Sequence, residues 1–552
     1  MRRAGLRKTH ASRRNSNHMR TEINTDIAII GGGVGGCAAA LAAARMGARV
    51  LLTEESDWIG GQFTTQATPP DEHGWIESFG CTRSYRRLRK EVRQHYKTVY
   101  PLTPEAQAAP YLNPGDGWVS PLCAEPLVWL TILEASLTKF AGQGNLTILT
   151  QHRPLAAETK GDEVRAVTLE NLKDGGAVTV TARYFLDATE LGDLLPLAGA
   201  EFVTGSEAQS DTGEPSAKAA AQPYNLQAFS VCFALGYDET RDFTIEKPAN
   251  YEFWRDFVPD LTPPWSGKLL SLNGLSPRTR ERVDYKFAPH DEPNQAFAGL
   301  WTYRRILHRE NFVAGAYPSD ITLVNYPQID YLLGDLVNAD YAERERLVIH
   351  AKQQSLSFLY YLQTEQGWRG LHLRPDILGT TDGLAKMPYI REARRIRAEF
   401  TVKEQHISAA CRPGAKFAEN FSDSVGIGFY RIDLHPTCGG DNYLDVEALP
   451  FQIPLGALLP QRVENLLAAA KNIGVTHITN GCYRLHPVEW NIGEAAGVLA
   501  AFCLARNAKP RAVRTDAKLL ADFQRELIRQ GFELDWPDDL VLREGDPHRH
   551  AR

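Results

Sequence analysis

Apolar positions divide the chain before any motif is considered. Asp26 to Ile30 is a short apolar run of strand length, Gly31-Gly-Gly-Val-Gly-Gly36 follows directly, and an alanine-rich stretch from Cys37 to Met46 has the composition of a helix. Gly47 marks a helix stop, and Ala48 to Thr53 predicts a second strand that ends at Glu54. Later, Asn145 to Thr150, Glu163 to Leu169 and Ala177 to Phe185 predict strands, the last two flanking the turn Lys173-Asp-Gly-Gly176. Near the end, Asn465 to Ala470 reads as one more apolar strand, and Gly493-Glu-Ala-Ala-Gly497 opens a second small-residue helix. The stretch between departs from this alternation. It holds Pro- and Trp-rich loops, a helix from Tyr341 to Gln363 and a basic helix from Ile390 to Glu399. The pattern predicts an α/β protein with a discontinuous Rossmann-type nucleotide-binding domain, residues 23–198 and 457–512. An inserted α+β domain over 199–456 would cap it, with a disordered basic tail over 1–22 and a helical extension with a polar tail over 513–552.

The glycines have a chemical reading. Gly31 permits the tight turn, Gly33 removes the side chain that would hold the backbone away from a pyrophosphate, and Gly36 lets helix and strand pack closely. The helix N-terminus then faces the phosphates, and Glu54 is placed to bind ribose hydroxyls. Strand, glycines, helix, stop, strand and acid in register point to a dinucleotide. A compact nicotinamide domain would continue in βαβ succession, whereas Trp58-Ile-Gly-Gly-Gln62 leads into a long loop and helix region.

Composition narrows the partners. The 552 residues are 43% hydrophobic and 23% charged, as in folded globular proteins, and a net charge of −6 gives no general footprint for nucleic acid. The eight cysteines are scattered with no CxxC, so neither a metal cage nor a redox pair is spelled out, and the reducing cytoplasm is the expected compartment. Seven Lys or Arg in the first twenty residues, with Arg13-Arg14 among them, lack the apolar region of an export signal, and Met19 is a second candidate start. No run of eighteen apolar residues predicts a membrane span.

Taken together, several segments resemble the FAD-dependent oxidoreductases of the glutathione-reductase-like superfamily, with distant likeness to fumarate reductase flavoproteins. They are Ile29 to Gly36, Glu54, Trp58 to Gln62, FLDATELGD (Phe185 to Asp193), PYIREARRI (Pro388 to Ile396), Asp423 to His435, Asn465 to Ile473 and Arg484 to Gly497. The resemblance implies FAD, with Gly31, Gly33, Val34 and Gly36 at its pyrophosphate and Glu54 at the adenosine ribose. It implies Gly61 and Gln62 along the flavin, Asp187 near the pyrophosphate and ribityl, and Asn491, Ile492 and Gly493 at a helix N-terminus facing the pyrimidine. Non-covalent FAD is the expectation, since the stretch after Glu54 offers only His73 for a covalent link.

What is missing also informs. Without a second GxGxxG or a CxxC, a pyridine-nucleotide disulfide reductase is excluded, and electrons leave to oxygen, a quinone or a carrier protein, a choice left open along with homo-oligomerisation. In Phe429 to His435, strand alternation places Tyr430, Ile432 and Leu434 on one face and Arg431, Asp433 and His435 on the other. His435 is the first candidate for a general base, against a plain pairing with Asp433, and His486 the second, with Tyr430 and Arg431 alongside. His477 reads as structural. Arg391 is a candidate for a substrate carboxylate against a solvated helix face, and Tyr303 and Tyr326 for an aromatic pocket against core packing. Cys81 reads as a buried small hydrophobe and Arg83 to Lys90 as a solvated helix face. The function expected is oxidation of an alcohol or amine carbon of a small organic substrate by hydride transfer to flavin. The alternatives are a reductase of activated double bonds, with Arg431 or Arg484 as proton donor, or a non-catalytic electron-transfer module.

Overall fold

The computed structural model describes residues 21–289 and 299–540. Most of the predicted basic tail and the last twelve residues lie outside them, but Thr21 and Glu22 are strand, pairing in parallel with Val178 and Thr179.

Five parallel strands form the central sheet, in the order Leu466–Ala468, Tyr184–Asp187, Ile27–Ile30, Val50–Glu54 and Leu146–Thr150. The central strands are buried throughout and mainly apolar because both faces are covered, so no inside-outside alternation is needed. The first helix, Val34–Arg45, begins at the glycine turn itself, three residues before the predicted Cys37. It packs on a long helix, His486–Arg506, whose crossing is made by small residues. A Cβ on Gly493 would come within 2.0 Å of the Gly35 carbonyl oxygen.

That long helix corrects one expectation. It starts at His486, with Pro487 in its first turn, so Asn491, Ile492 and Gly493 sit inside the helix and not at its N-terminus. A second correction concerns Ala177 to Phe185, which is two strands in two sheets. Ala177–Thr181 joins a four-stranded sheet with Thr21–Asn24, Glu163–Asn171 and the unpredicted His152–Lys160, while Tyr184–Asp187 enters the central sheet.

Between the two parts of the central sheet lies an antiparallel sheet, Arg305–Leu307, Ile321–Val324, Phe233–Tyr237 and Leu371–Leu373. It shares a second apolar core with the helix Tyr341–Thr364, through Phe233, Val324, Phe358 and Leu362. That helix starts where predicted because the Asp340 carboxylate accepts the Glu343 N–H at 2.9 Å. The basic helix predicted over 390–399 does not form. The segment is extended, with Arg395–Ile396 paired to Phe202–Val203, and Arg391 and Arg395 are buried. Nor is the helix Arg83–Val99 a fully solvated basic face, because Arg89 is buried between Glu72 and Glu77. Cys81 is buried, as expected. The helix His486–Arg506 is long and apolar enough to cross a membrane by length and composition, and 89% of its most apolar window is buried in the fold.

Candidate functional site

At the carboxyl ends of the parallel strands lies a cleft of about 730 Å³, lined by Gly31, Glu54, Gly61, Thr189 and Glu190 among others. Gly31 adopts φ +105°, and a Cβ there would come within 2.2 Å of the Ala188 carbonyl oxygen, so glycine is required twice over. The next helix opens on Gly33 with no side-chain cap of its own; the buried Glu489 carboxylate accepts the Gly35 N–H, and Glu190 Oε1 lies against Gly33. Gly36 closes the turn against the Gly31 carbonyl, which a Cβ would meet at 1.9 Å. Glu54 accepts the N–H of Gly32 and of Ser56, each at 2.9 Å, and burial raises its pKa to about 8. Glu190 Oε1 and Gln66 Nε2 are buried without a hydrogen-bond partner in the protein. A helix that starts at the glycine turn, a turn that side chains would fill, and an acid at the end of the second strand fit an FAD pyrophosphate and ribose.

Not every residue assigned to this cleft lines it. Asp187 turns inward, accepting the Thr189 N–H at 3.0 Å and its hydroxyl at 2.7 Å, so it shapes the Ala188-Thr189-Glu190 edge from behind. Gln62 donates to Glu489 at 2.7 Å and to the Arg484 carbonyl at 3.1 Å, bracing the glycine pair Gly60-Gly61 against the long helix. Asn491 donates to the Val425 carbonyl, Ile492 is core, and Gly493 serves the helix crossing. His73 has its ring nitrogens engaged by Gly80 O and Trp75 N, within an aromatic cluster with Phe429 and Trp536.

A second cavity, about 500 Å³, lies beyond a short extended segment. Met387, Pro388 and Ile390 line the cleft, whereas Tyr389 and Arg391 line the cavity. One stretch of backbone thus presents neighbouring side chains to two sites. Tyr389 is held to the cavity wall by Arg484, which donates to its hydroxyl at 3.0 Å.

The predicted polar wall is present and its partners differ. Ile432–Leu434 pairs with Leu444–Val446, burying Ile432 and Leu434 and turning Asp433 and His435 to the cavity. Arg431 lines the same cavity but is tied to Asp445 at 2.6 Å, and Tyr430 faces the cavity too, against the expected split. His435 Nδ1 meets Asp330 Oδ2 at 2.7 Å, whereas Asp433 stands 3.9 Å from Nε2. Asp330 in turn accepts from Ser230 Oγ at 2.8 Å and pairs with Arg391 at 3.0 Å. Burial would raise the Asp330 pKa, but Arg391 and His435 outweigh it and hold it below the ordinary value. Arg391 also donates to the Ala228 carbonyl at 2.7 Å, so it positions Asp330 and has little left for a substrate.

The remaining candidates divide. Tyr303 and Tyr326 both line the cavity, with the Tyr326 hydroxyl donating to the Leu300 carbonyl at 2.5 Å. His486 is fully buried, accepts the Asp71 N–H at 3.3 Å, and burial with Arg304 nearby lowers its pKa to about 3, which makes it a poor base. His477 pairs with buried Glu392, as a structural residue would. Asp71, Arg304 and Asp445 are among the cavity residues that the sequence does not single out, and Asp330 stands behind the wall on His435 Nδ1. Arg304 stands in the Trp301-Thr-Tyr-Arg-Arg305 stretch, where two arginines inside an aromatic run were the available signal.

No curated protein matches this chain. Solved structures with similarity include an L-proline dehydrogenase from P. horikoshii, 18% identical with a TM-score of 0.17, covering 35% of this chain and 26% of that one. They also include a geranylgeranyl bacteriochlorophyll reductase-like protein from Thermoplasma acidophilum, 10% identical with a TM-score of 0.32, covering 93% of this chain and 85% of that one. A quinol fumarate reductase variant from E. coli is 11% identical with a TM-score of 0.32, covering 92% and 74%. This chain therefore spans about a quarter of the first of these and most of the other two. Residues 26–527 match the family described as FAD dependent oxidoreductase, and the chain belongs to that family of flavoenzymes.

Proposed function

We propose that this enzyme oxidises an alcohol or amine carbon of a small organic substrate, bound in the Tyr- and Arg-lined cavity under an inserted domain spanning about residues 199–456 of a Rossmann-type FAD unit. The observation that carries the reading is the Asp330–His435 contact on the cavity wall. A carboxylate on Nδ1 fixes the ring's orientation and leaves the Nε2 lone pair to accept a proton. FAD, when bound, supplies a two-electron acceptor. His435 takes the proton released from the substrate O–H or N–H, Asp330 stabilises the imidazolium that forms, and Arg391 keeps Asp330 ionised. Tyr303, Tyr389 and Tyr430 line the cavity beside that proton transfer.

A reductase of activated double bonds is the second reading, favoured by Arg484, which lines the same cavity with Nε unpartnered. Arg431, its other candidate donor, is committed to Asp445. The deciding experiment is anaerobic mixing of the flavoprotein with alcohols, hydroxy acids, amino acids and unsaturated acids while following the flavin band. His435→Ala is expected to keep its flavin and slow donor-driven bleaching by about a hundredfold or more. Unchanged bleaching removes His435 from the reaction, and reoxidation of chemically reduced enzyme by an unsaturated acid alone would favour the reductase.

A further inference from the structure

The cavity's arginines are unequally satisfied. Arg391 is held by Asp330, Ser230 and the Ala228 carbonyl, Arg431 by Asp445, and Arg484 by Tyr389 and the Asp433 carbonyl. Arg304 differs. It is 8% exposed and lines the cavity, yet its Nε and Nη1 have no hydrogen-bond partner. Its nearest acid, Asp71, stands 3.7 Å from Nη2, close enough to balance charge and too far for a hydrogen bond. Next to it in sequence, Arg305 donates to Asp320 and to the Gly115 carbonyl, each at 2.8 Å, so poor local packing does not explain the contrast.

A guanidinium cannot shed its proton to escape this situation, and burying charged donors without acceptors is costly. Burial opposes its charge, while Asp71 and Tyr303 act to keep it protonated. The other partnerless nitrogens of the lining, Arg484 Nε, Arg391 Nε and Asn325 Nδ2, are donors too. The Tyr443 hydroxyl, also without a partner, can donate as well as accept, so the surplus is of donors. A ligand that brings acceptor oxygens completes these bonds, and a planar oxyanion suits the guanidinium fork better than a neutral hydroxyl does.

Building on the oxidising site proposed above, we propose that Arg304 receives the substrate's carboxylate, so that the cavity selects small hydroxy or amino acids over neutral alcohols. The same wall explains why Arg391 is unsuited to that task, since its fork is already occupied by Asp330 and its neighbours. Substrate would then lie between a carboxylate anchor at Arg304 and the proton acceptor at His435, both of which line this cavity.

The test uses the full-length flavoprotein and paired probes: lactate against propane-1,2-diol, gluconate against sorbitol, and alanine against 2-aminopropan-1-ol. Binding is read as a shift of the visible flavin band on titration. At least one carboxylate is expected to bind better than its neutral counterpart, and R304Q to weaken that binding by about tenfold or more with flavin content unchanged. R304K keeps the charge and loses the fork, so it should fall between and carries the comparison if R304Q folds poorly. The proposal is overturned if neutral partners bind as well, if both variants leave carboxylate affinity unchanged, or if no carboxylate shifts the band. A carboxylate that binds through Arg304 without bleaching the flavin anaerobically would leave the anchor standing and remove the oxidation reading. Bleaching by a neutral alcohol alone would do the reverse.

Discussion

The nucleotide cleft and the arginine-lined cavity are separated by one stretch of backbone, and two buried acids beside them, Glu54 and Asp330, are held in opposite ways. In and beside the cleft, burial raises Glu54 to about 8 and Asp187 to about 7, and their short contacts are to backbone N–H groups and to Thr189. Around the cavity, Asp330 and Glu392 are just as buried, yet Arg391, His435, His477 and Arg395 hold them below the ordinary carboxylate range. The glycine turn of the cleft is built from main chain and from an acid that burial inclines to stay protonated. The site proposed above to move a proton rests on the paired charges of Asp330, Arg391 and His435. The first kind of construction is written in short runs of sequence, and the second is not.

The sharpest way to break the contrast is Asp330→Asn. It leaves buried Arg391 without its counter-ion and His435 without the carboxylate on Nδ1, so thermal stability should fall by about 3–5 kcal/mol. Donor-driven flavin bleaching should slow, by no more than in His435→Ala, while bound flavin is retained in the fraction that folds. Equal loss of flavin would mean that the two sites are not built independently.

The converse change is Gly31→Ala. With φ at +105° and Ala188 O 2.2 Å from the new Cβ, the turn must shift, at a cost of about 1–3 kcal/mol, and flavin content of the purified protein should drop sharply. Full flavin occupancy would contradict the role given to the turn.

The pH dependence distinguishes the two acid types. A carboxylate whose folded pKa is raised stabilises the fold fully below its unfolded value, and that stabilisation is lost as pH rises through the folded value. For Glu54 the window runs from about 4.5 to about 8. Flavin-free protein should therefore lose thermal stability between pH 5 and pH 9, and Glu54→Gln should flatten the loss. Asp330, held low, has the opposite sign, and its contribution disappears only as pH falls. An identical pH profile in Glu54→Gln would show that burial does not govern this acid. The smallest effect is expected of Tyr326→Phe. Its hydroxyl bonds the Leu300 carbonyl, so the change should cost about 1 kcal/mol in stability and leave flavin reduction unchanged.

How much of this was legible in the sequence follows the same division. The strand, glycine turn, helix and Glu54 could be read directly because the motif itself is local, with Gly32 bonding Glu54 only 22 residues on. His435 was found from strand alternation, and Asn325 to Tyr331 reads as pocket lining, but the pairing of His435 with Asp330 was not legible because it spans 105 residues. The basic helix over 390–399 was misread because arginines three and four apart imitate a helix face, while tertiary pairing with Asp330, Asp193 and Glu207 holds the segment extended. The start of the closing helix was missed at His486-Pro487, where a proline in the first turn was the signal to weigh above the glycines that follow.

The segment through Met387, Pro388, Tyr389, Ile390 and Arg391 has a consequence for how such an enzyme can change. Its side chains serve two clients in turn, so inserting or deleting a single residue would exchange their audiences and ruin both at once. Substitution at Tyr389, by contrast, reshapes what the cavity accepts and leaves the cleft side of the partition as it was. New substrate preferences can therefore arise by replacement along this partition, while its length stays fixed.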